Sequence, residues 1–295
     1  MRVLFDVQRD GLAAINAPAE QLLKARMEIT TGRRVNVASD DPLSARQAVD
    51  EHATLAGLDA YSRTGGAATS RLSVADSALA SYVDKLTAAI VTAQGAQGSH
   101  ATADSRAAAA AQITALRDGL LSDINSQING VAIFSGAETA STTYVNSGSG
   151  WTYQGDSTAV QVAVGQGRLV SITFDGQALA QGADAQDVFT ALDTLASDIL
   201  AGDNTAIAAG IDALGRAQTR AAQVQGRLGA DERTIDDVAN ALGALKNHAE
   251  TRRAKAEDAD LADAITRMNQ ANTAYQAALS AVSTAERRSL LDYLR

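Results

Sequence analysis

The chain has 295 residues, with 25 Lys and Arg against 34 Asp and Glu and a formal net charge of −9. That balance argues against nucleic acid as the main partner, because phosphate recognition needs a basic face. There is no Cys, which removes disulfides, thiolate metal sites and cysteine nucleophiles together.

Aromatic residues make up only 4% of a chain whose hydrophobic class reaches 46%, so Ala and modest aliphatics do the packing, in narrow helix seams. Met1 to Asp10 lack the unbroken apolar run of a cleaved secretory signal, and no stretch approaches the roughly 18 apolar residues of a membrane span. The expectation is a soluble chain without a membrane partner, which leaves the cell, if it does, by a route other than a cleaved signal.

From the N-terminus, Leu12, Ile15, Ala19, Leu22 and Ile29 recur at alternating steps of three and four, which marks one helical stripe, with Arg26 its polar exception. Pro18 lies inside the stripe. It suits a helix that starts near Ala17, and equally a kinked helix with Met1 to Asn16 as a separate piece. Thr30 to Asn36 reads as a turn, after which Asp41 reads as an N-cap with Pro42 at the first helical position.

The helix from Pro42 runs past Tyr61 and on through the stripe Leu72, Ala75, Leu79, Tyr82, Leu86 and Ala89 to about Gln94, and Gly95 to His100 breaks it. Asp104 opens another helix, predicted through Ile113, Leu116, Leu120, Ile124 and Val131 to Ser135-Gly136 and packed antiparallel to the previous one. The period then changes to two. Thr142–Val145, Trp151–Tyr153, Val160–Val164 and Leu169–Phe174 read as strands of a small β-meander between helical halves.

Helix returns over Asp184–Leu200, and Asp203 caps a longer one. Along it Ala221, Val224, Leu228, Ile235, Val238, Leu242, Leu245 and Ala249 keep a heptad register, with Asp231 the odd member. A helix from Asp203 to about Arg253 spans roughly 75 Å at 1.5 Å per residue. A compact chain of this length has a radius of gyration of about 19 Å, so the expected shape is a rod. A second register, Leu261, Ile265, Met268, Asn272, Tyr275, Leu279 and Val282, is two residues out of phase with the first and faces a different partner. Asn272 occupies an otherwise apolar position, where a lone buried Asn can set register and where, in an isolated chain, it can equally be solvated.

Constellations for chemistry are missing from this pattern. His52, His100 and His248 have no carboxylate or second His at ligand spacing and read as surface residues. Asp40-Asp41 and Glu257-Asp258-Asp260 fall at helix starts, where capping accounts for them. Gly165-Gln166-Gly167 lacks the last glycine of a phosphate loop and no helix follows, so it reads as a turn. Trp151 and Tyr153 offer a platform for a sugar or a partner, but a tiny sheet needs such residues for its own packing. The expectation is a non-enzyme with no catalytic, cofactor or metal residues.

Three segments carry a resemblance. Ile29-Thr30-Thr31-Gly32-Arg33-Arg34-Val35-Asn36-Val37-Ala38-Ser39-Asp40-Asp41-Pro42 resembles the N-terminal signature of the flagellins. The stretch Glu257 to Ile265, with Ala274 to Leu279 and Ser289 to Leu294, resembles the C-terminal one. In the middle, Ile133-Phe134-Ser135-Gly136-Ala137-Glu138 leading into Thr152-Tyr153-Gln154-Gly155-Asp156 is more similar to the hook-associated branch of that family than to filament flagellin.

The resemblance implies a mainly α fold with a small β insert. It is an elongated rod of long antiparallel helices, with terminal helices paired as a coiled coil and the β-meander at the far end. The implied division is 1–41 with 257–295 for polymerisation, 42–136 with 184–256 for the rod, and 137–183 for the β domain. It further implies a structural subunit of the bacterial flagellum, at the junction of hook and filament, extracellular and exported through the flagellar type III apparatus without a cleaved signal. Its partners would be copies of itself in a ring, another hook-associated protein on the hook side, flagellin on the filament side and an export chaperone. A short filament flagellin is the alternative. The implied assembly interface is Leu12, Ile15, Leu22 and Ile29 against Leu261, Ile265, Met268, Asn272, Tyr275, Leu279 and Val282, with Leu290, Leu291 and Leu294 beyond them.

Overall fold

The computed structural model describes the backbone of residues 2–98, 101–148 and 150–293, and the side chains of residues 12–98, 101–148 and 150–284. In chain order the elements are α1 (Arg2–Thr31), α2 (Pro42–Ala96), α3 (Ala103–Ile124), β1 (Gln127–Ile128), β2 (Val131–Ala132), β3 (Tyr144–Asn146), β4 (Trp151–Tyr153), β5 (Gln161–Gly165), β6 (Arg168–Ser171), α4 (Gly176–Ala180), α5 (Val188–Ala201), α6 (Asn204–Glu257) and α7 (Leu261–Tyr293). They form two compact units, one of residues 1–57 with 244–295 and one of residues 58–243. His100 and Leu294 lie outside the described residues, as do the side chains of Leu290 and Leu291.

The second unit holds the larger core. Along α2 the predicted stripe of Leu72, Ala75, Leu79, Tyr82, Leu86 and Ala89 is fully buried. Ile113, Leu120 and Ile124 of α3, Phe189, Leu192, Leu195 and Ile199 of α5, and Ile207, Leu214, Ala217, Ala221, Leu228 and Ile235 of α6 belong to the same cluster. Side-chain oxygens start the helices: Thr102 accepts from Ser105 N, Asp187 from Phe189 N and Thr190 N, and Asp203 from Thr205 N and Ala206 N. Gly202, at φ 73°, ends α5.

Four expectations change. The helix α3 stops at Ile124 and does not reach Gly136, because Asn129 and Gly130 take φ 53° and 80° and turn β1 back on β2. Both central residues at positive φ are the signature of a type I′ hairpin turn. The strands pair as three separate two-stranded sheets, β1–β2, β3–β4 and β5–β6, and not as one meander. Short backbone bonds between neighbouring segments join them, such as Phe174 N to Ile133 O at 3.1 Å and Gly176 N to Phe134 O at 2.8 Å. A Cβ at Gly176 would stand 2.6 Å from Phe134 O, so only glycine lets the start of α4 approach the segment after β2.

The third change is α4, a short helix between the strand expected to end at Phe174 and the helix expected from Asp184, where the sequence pattern placed no element. The last concerns α6, whose buried face keeps the expected register at Leu242 and Ala249 but takes Lys246 in place of Leu245 between them. Leu245 is 53% exposed while Lys246 is half-buried and Ala249 fully buried. Pro18 leaves α1 unbroken from Arg2 to Thr31.

Candidate assembly interface

In the first unit, the signature segment between α1 and α2 is bound to the segment between α6 and α7. Gly32 ends α1 at φ 69°, with its N–H donating to Glu28 O at 2.9 Å, and its carbonyl accepts from Ala259 N at 2.9 Å. Arg33 bridges Asp258, and Arg34 N donates to Glu257 O at 2.7 Å. The Arg34 guanidinium then reaches Asp41 Oδ2 at 3.1 Å, Ser44 Oγ at 3.1 Å and Ala256 O at 2.9 Å. It therefore ties the start of α2 to a carbonyl left free at the end of α6, where a cation is favoured.

Three acids at this crossing hold backbone N–H groups. Asp40 accepts from Asn36 N and Val37 N and faces Lys24 Nζ at 3.1 Å. These backbone donors, with Lys24, hold its carboxyl below the usual range. Asp41 accepts from the Ser44 hydroxyl and N–H, and with Arg34 beside it its pKa falls to about 2. Asp260 caps α7 through Ala262 N and Asp263 N.

Glu257 has a different role. It is buried, with Oε2 3.2 Å from His52 Nε2, and Arg253 and Arg33 stand 3.5 and 3.9 Å from Oε1. The reading of His52 as a residue without a carboxylate neighbour is therefore corrected. Its partner comes from 205 positions away, beyond the reach of a spacing rule. Beside it Arg252 holds Glu51 through two bonds, at 2.6 and 2.8 Å.

Beyond this crossing α1 and α7 pair antiparallel, the end of the first beside the start of the second. On α1, Leu22 and Ala25 are buried, with Ile15, Pro18, Ala19 and Ile29 half-buried. On α7, Ala264 and Ala271 are buried, with Met268, Tyr275, Ala278 and Val282 half-buried. The α7 face thus runs 264, 268, 271, 275, 278, 282, a heptad seam of small residues alternating with larger ones. Of the expected interface, Ile15, Leu22, Ile29, Met268, Tyr275 and Val282 lie in this seam. Leu12, Leu261, Ile265, Asn272 and Leu279 do not, and they are exposed.

These outlying residues form rows of their own. Leu12 and Leu23 stand about three turns apart on one flank of α1, with Met27 one turn further on. Leu261, Ile265 and Leu279 share a flank of α7 with Asn272. The six apolar members are between 42% and 62% exposed. A single chain covers one row on each helix and leaves the next uncovered.

The other sequence candidates are absorbed by packing. Trp151 stacks on Phe189 at 5.5 Å, lies under the Arg117 guanidinium at 5.6 Å and donates to Asp193 Oδ2. Tyr153 donates to Asp156 O at 2.8 Å. Gly165-Gln166-Gly167 turns β5 into β6. No group of three or more His, Asp or Glu that could hold a metal ion occurs among the described residues. Sequence reasoning missed Glu28 and Arg267, and the alanine row, and it gave Glu257 a cap at a helix start where the residue ends α6 and faces His52, Arg253 and Arg33. Ala264, Ala271 and Ala278 recur every seven residues, a signal visible once Ala counts as a core residue.

Family descriptions match both ends: the bacterial flagellin N-terminal helical region over residues 8–139 and the bacterial flagellin C-terminal helical region over residues 211–294. Flagellar hook-associated protein 3 of Salmonella typhimurium is 30% identical over 208 residues, which cover 65% of this chain and 63% of that protein. Among solved structures, a putative flagellar hook-associated protein from Vibrio parahaemolyticus superposes with a TM-score of 0.71 at 17% identity, over 74% of this chain and 100% of that one. FlgL of Xanthomonas campestris gives 0.62 at 17%, over 68% and 98%. The flagellar junction protein FlgL of Legionella pneumophila gives 0.59 at 14%, over 72% and 100%.

Proposed function

Because the chain belongs to the bacterial flagellin family, whose two helical regions match its two ends, we propose that it is the structural subunit that joins hook to filament in a bacterial flagellum. The likeness to a flagellar hook-associated protein at 30% identity supports the junction over the filament itself. So do the folds of solved hook-associated and junction proteins.

The observation that carries the reading is the pair α1 and α7, with one row buried between them and a second row exposed on each, of Leu and Met on α1 and of Leu and Ile on α7. Exposed apolar rows of this kind mark surfaces made for other chains. In this reading the chain is not an enzyme. It leaves the cell unfolded without a cleaved signal, with an export chaperone, and copies of it form a ring. A hook-associated protein lies on one side of that ring and flagellin on the other.

Antibody labelling of isolated flagella tests it. A single spot at the hook end is expected, and labelling along the filament would assign the chain to the filament instead. Purified protein should fail to grow long filaments on its own seeds, since its two faces take different chains.

A further inference from the structure

The seam between α1 and α7 repeats itself. On α7, Ala264, Ala271 and Ala278 are seven apart, as are Met268, Tyr275 and Val282. On α1, Ile15, Leu22 and Ile29 are seven apart as well. A slip of one heptad therefore sets apolar against apolar again, and small side chains with little shape give weak preference for one register.

The backbone bonds of the crossing hold the near ends of the two helices together; along the seam itself, one pair breaks the repeat. Glu28 lies in the seam with 1% exposure. Its Oε1 accepts from Arg267 Nη1 at 3.3 Å, its Oε2 stands 2.8 Å from Nη2, and Arg267 Nε also donates to Asp263 Oδ2 at 2.9 Å. Slipping α7 by seven residues would set Glu28 opposite Asp260 in one direction and Ala274 in the other. Either leaves a carboxylate in the seam without a cation, which is strongly unfavourable.

We propose that the Glu28–Arg267 ion pair sets the register of the terminal helix pair, and with it which exposed residues of α1 stand beside which of α7 for an incoming chain. Asn272, for which the sequence left register-setting and solvation both open, is exposed and does not perform this role within the chain. The bonds to Glu28 and Asp263 also hold the Arg267 guanidinium above its ordinary pKa. The register is the same for a junction subunit and a filament subunit, so this proposal is tested apart from the role given above.

The chain has no Cys, so spin labels can be placed at will on the full-length protein, at the exposed alanines of Ala13→Cys on α1 and Ala262→Cys on α7. Pulsed dipolar spectroscopy then reads the axial register, because one helical turn of slip changes the separation by about 5 Å. The parent should give one narrow distance. Glu28→Leu with Arg267→Leu keeps an apolar seam and the α1–α2 turn, and should give several distances or a shifted one at unchanged helix content. The exchanged pair, Glu28→Arg with Arg267→Glu, should restore the parental distance. A double-leucine protein with the same single narrow distance as the parent overturns the proposal, as does a parent as broad as the variant.

Discussion

Gly32 and Asp41 bracket the turn between α1 and α2, and each acts through a different physical effect. Gly32 sits at φ 69° with nothing within 4 Å of an added Cβ, so Gly32→Ala meets backbone strain alone. The expected loss is about 1–2 kcal/mol, read as a lower urea midpoint at unchanged slope. Asp41 acts through charge. Its pKa of about 2, against 3.8 for the free group, means that its ionised form favours the fold. That contribution is complete above about pH 4 and drains away as pH falls through about 2. Asp41→Asn should therefore flatten the acid limb of the melting temperature between pH 4 and 2. Asp231 has the opposite sign, because its place in the buried stripe of α6 raises its pKa by desolvation. It costs stability at neutral pH and less as pH falls. Asp231→Leu should stabilise by about 1 kcal/mol in denaturant titration at pH 7.

At the scale of the helices, the two rows on α1 and α7 make separable predictions. Ala271 is buried in the seam, so Ala271→Leu overpacks it and should cost about 1–3 kcal/mol. Leu23→Gln with Ile265→Gln changes the exposed rows and should leave unfolding within about 0.5 kcal/mol of the parent, while cells carrying it shed their filaments. Much of this element structure is legible in the sequence. Asp41 and Asp203 stand at helix starts because a side-chain oxygen there meets free N–H groups, and Leu72 to Ala89 repeat at helical spacing because one face of α2 is buried. In the α7 seam Met268, Tyr275 and Val282 fall where the sequence puts them, but the row between them lies one residue earlier, for an equally physical reason. Large aliphatics outrank alanines in a search for a hydrophobic stripe, yet a pair of closely packed helices takes the alanines inside and leaves Leu261, Ile265 and Leu279 out. Glu28 and His52 were not legible, because their partners are 239 and 205 positions away. The hairpin at Asn129-Gly130 was legible and was overrun by the apolar period of the helix before it.

At the scale of the molecule, the two compact units have distinct contents. Phe189, fully buried against Tyr144 at 5.1 Å and Trp151 at 5.5 Å, belongs to the core of residues 58–243. Phe189→Ala should cost that core about 3–5 kcal/mol and speed its amide exchange, with exchange in α1 and α7 at parental rates. The unit of residues 1–57 with 244–295 differs in one further respect, the time at which its parts become available. Glu28 and Arg267 are 239 positions apart. At a synthesis rate of about 5–20 residues per second, roughly 10–50 s separate the two. During that interval α1 has neither its seam nor the cation for its carboxylate, so the helix made first has no complete partner until the far end of the chain follows it.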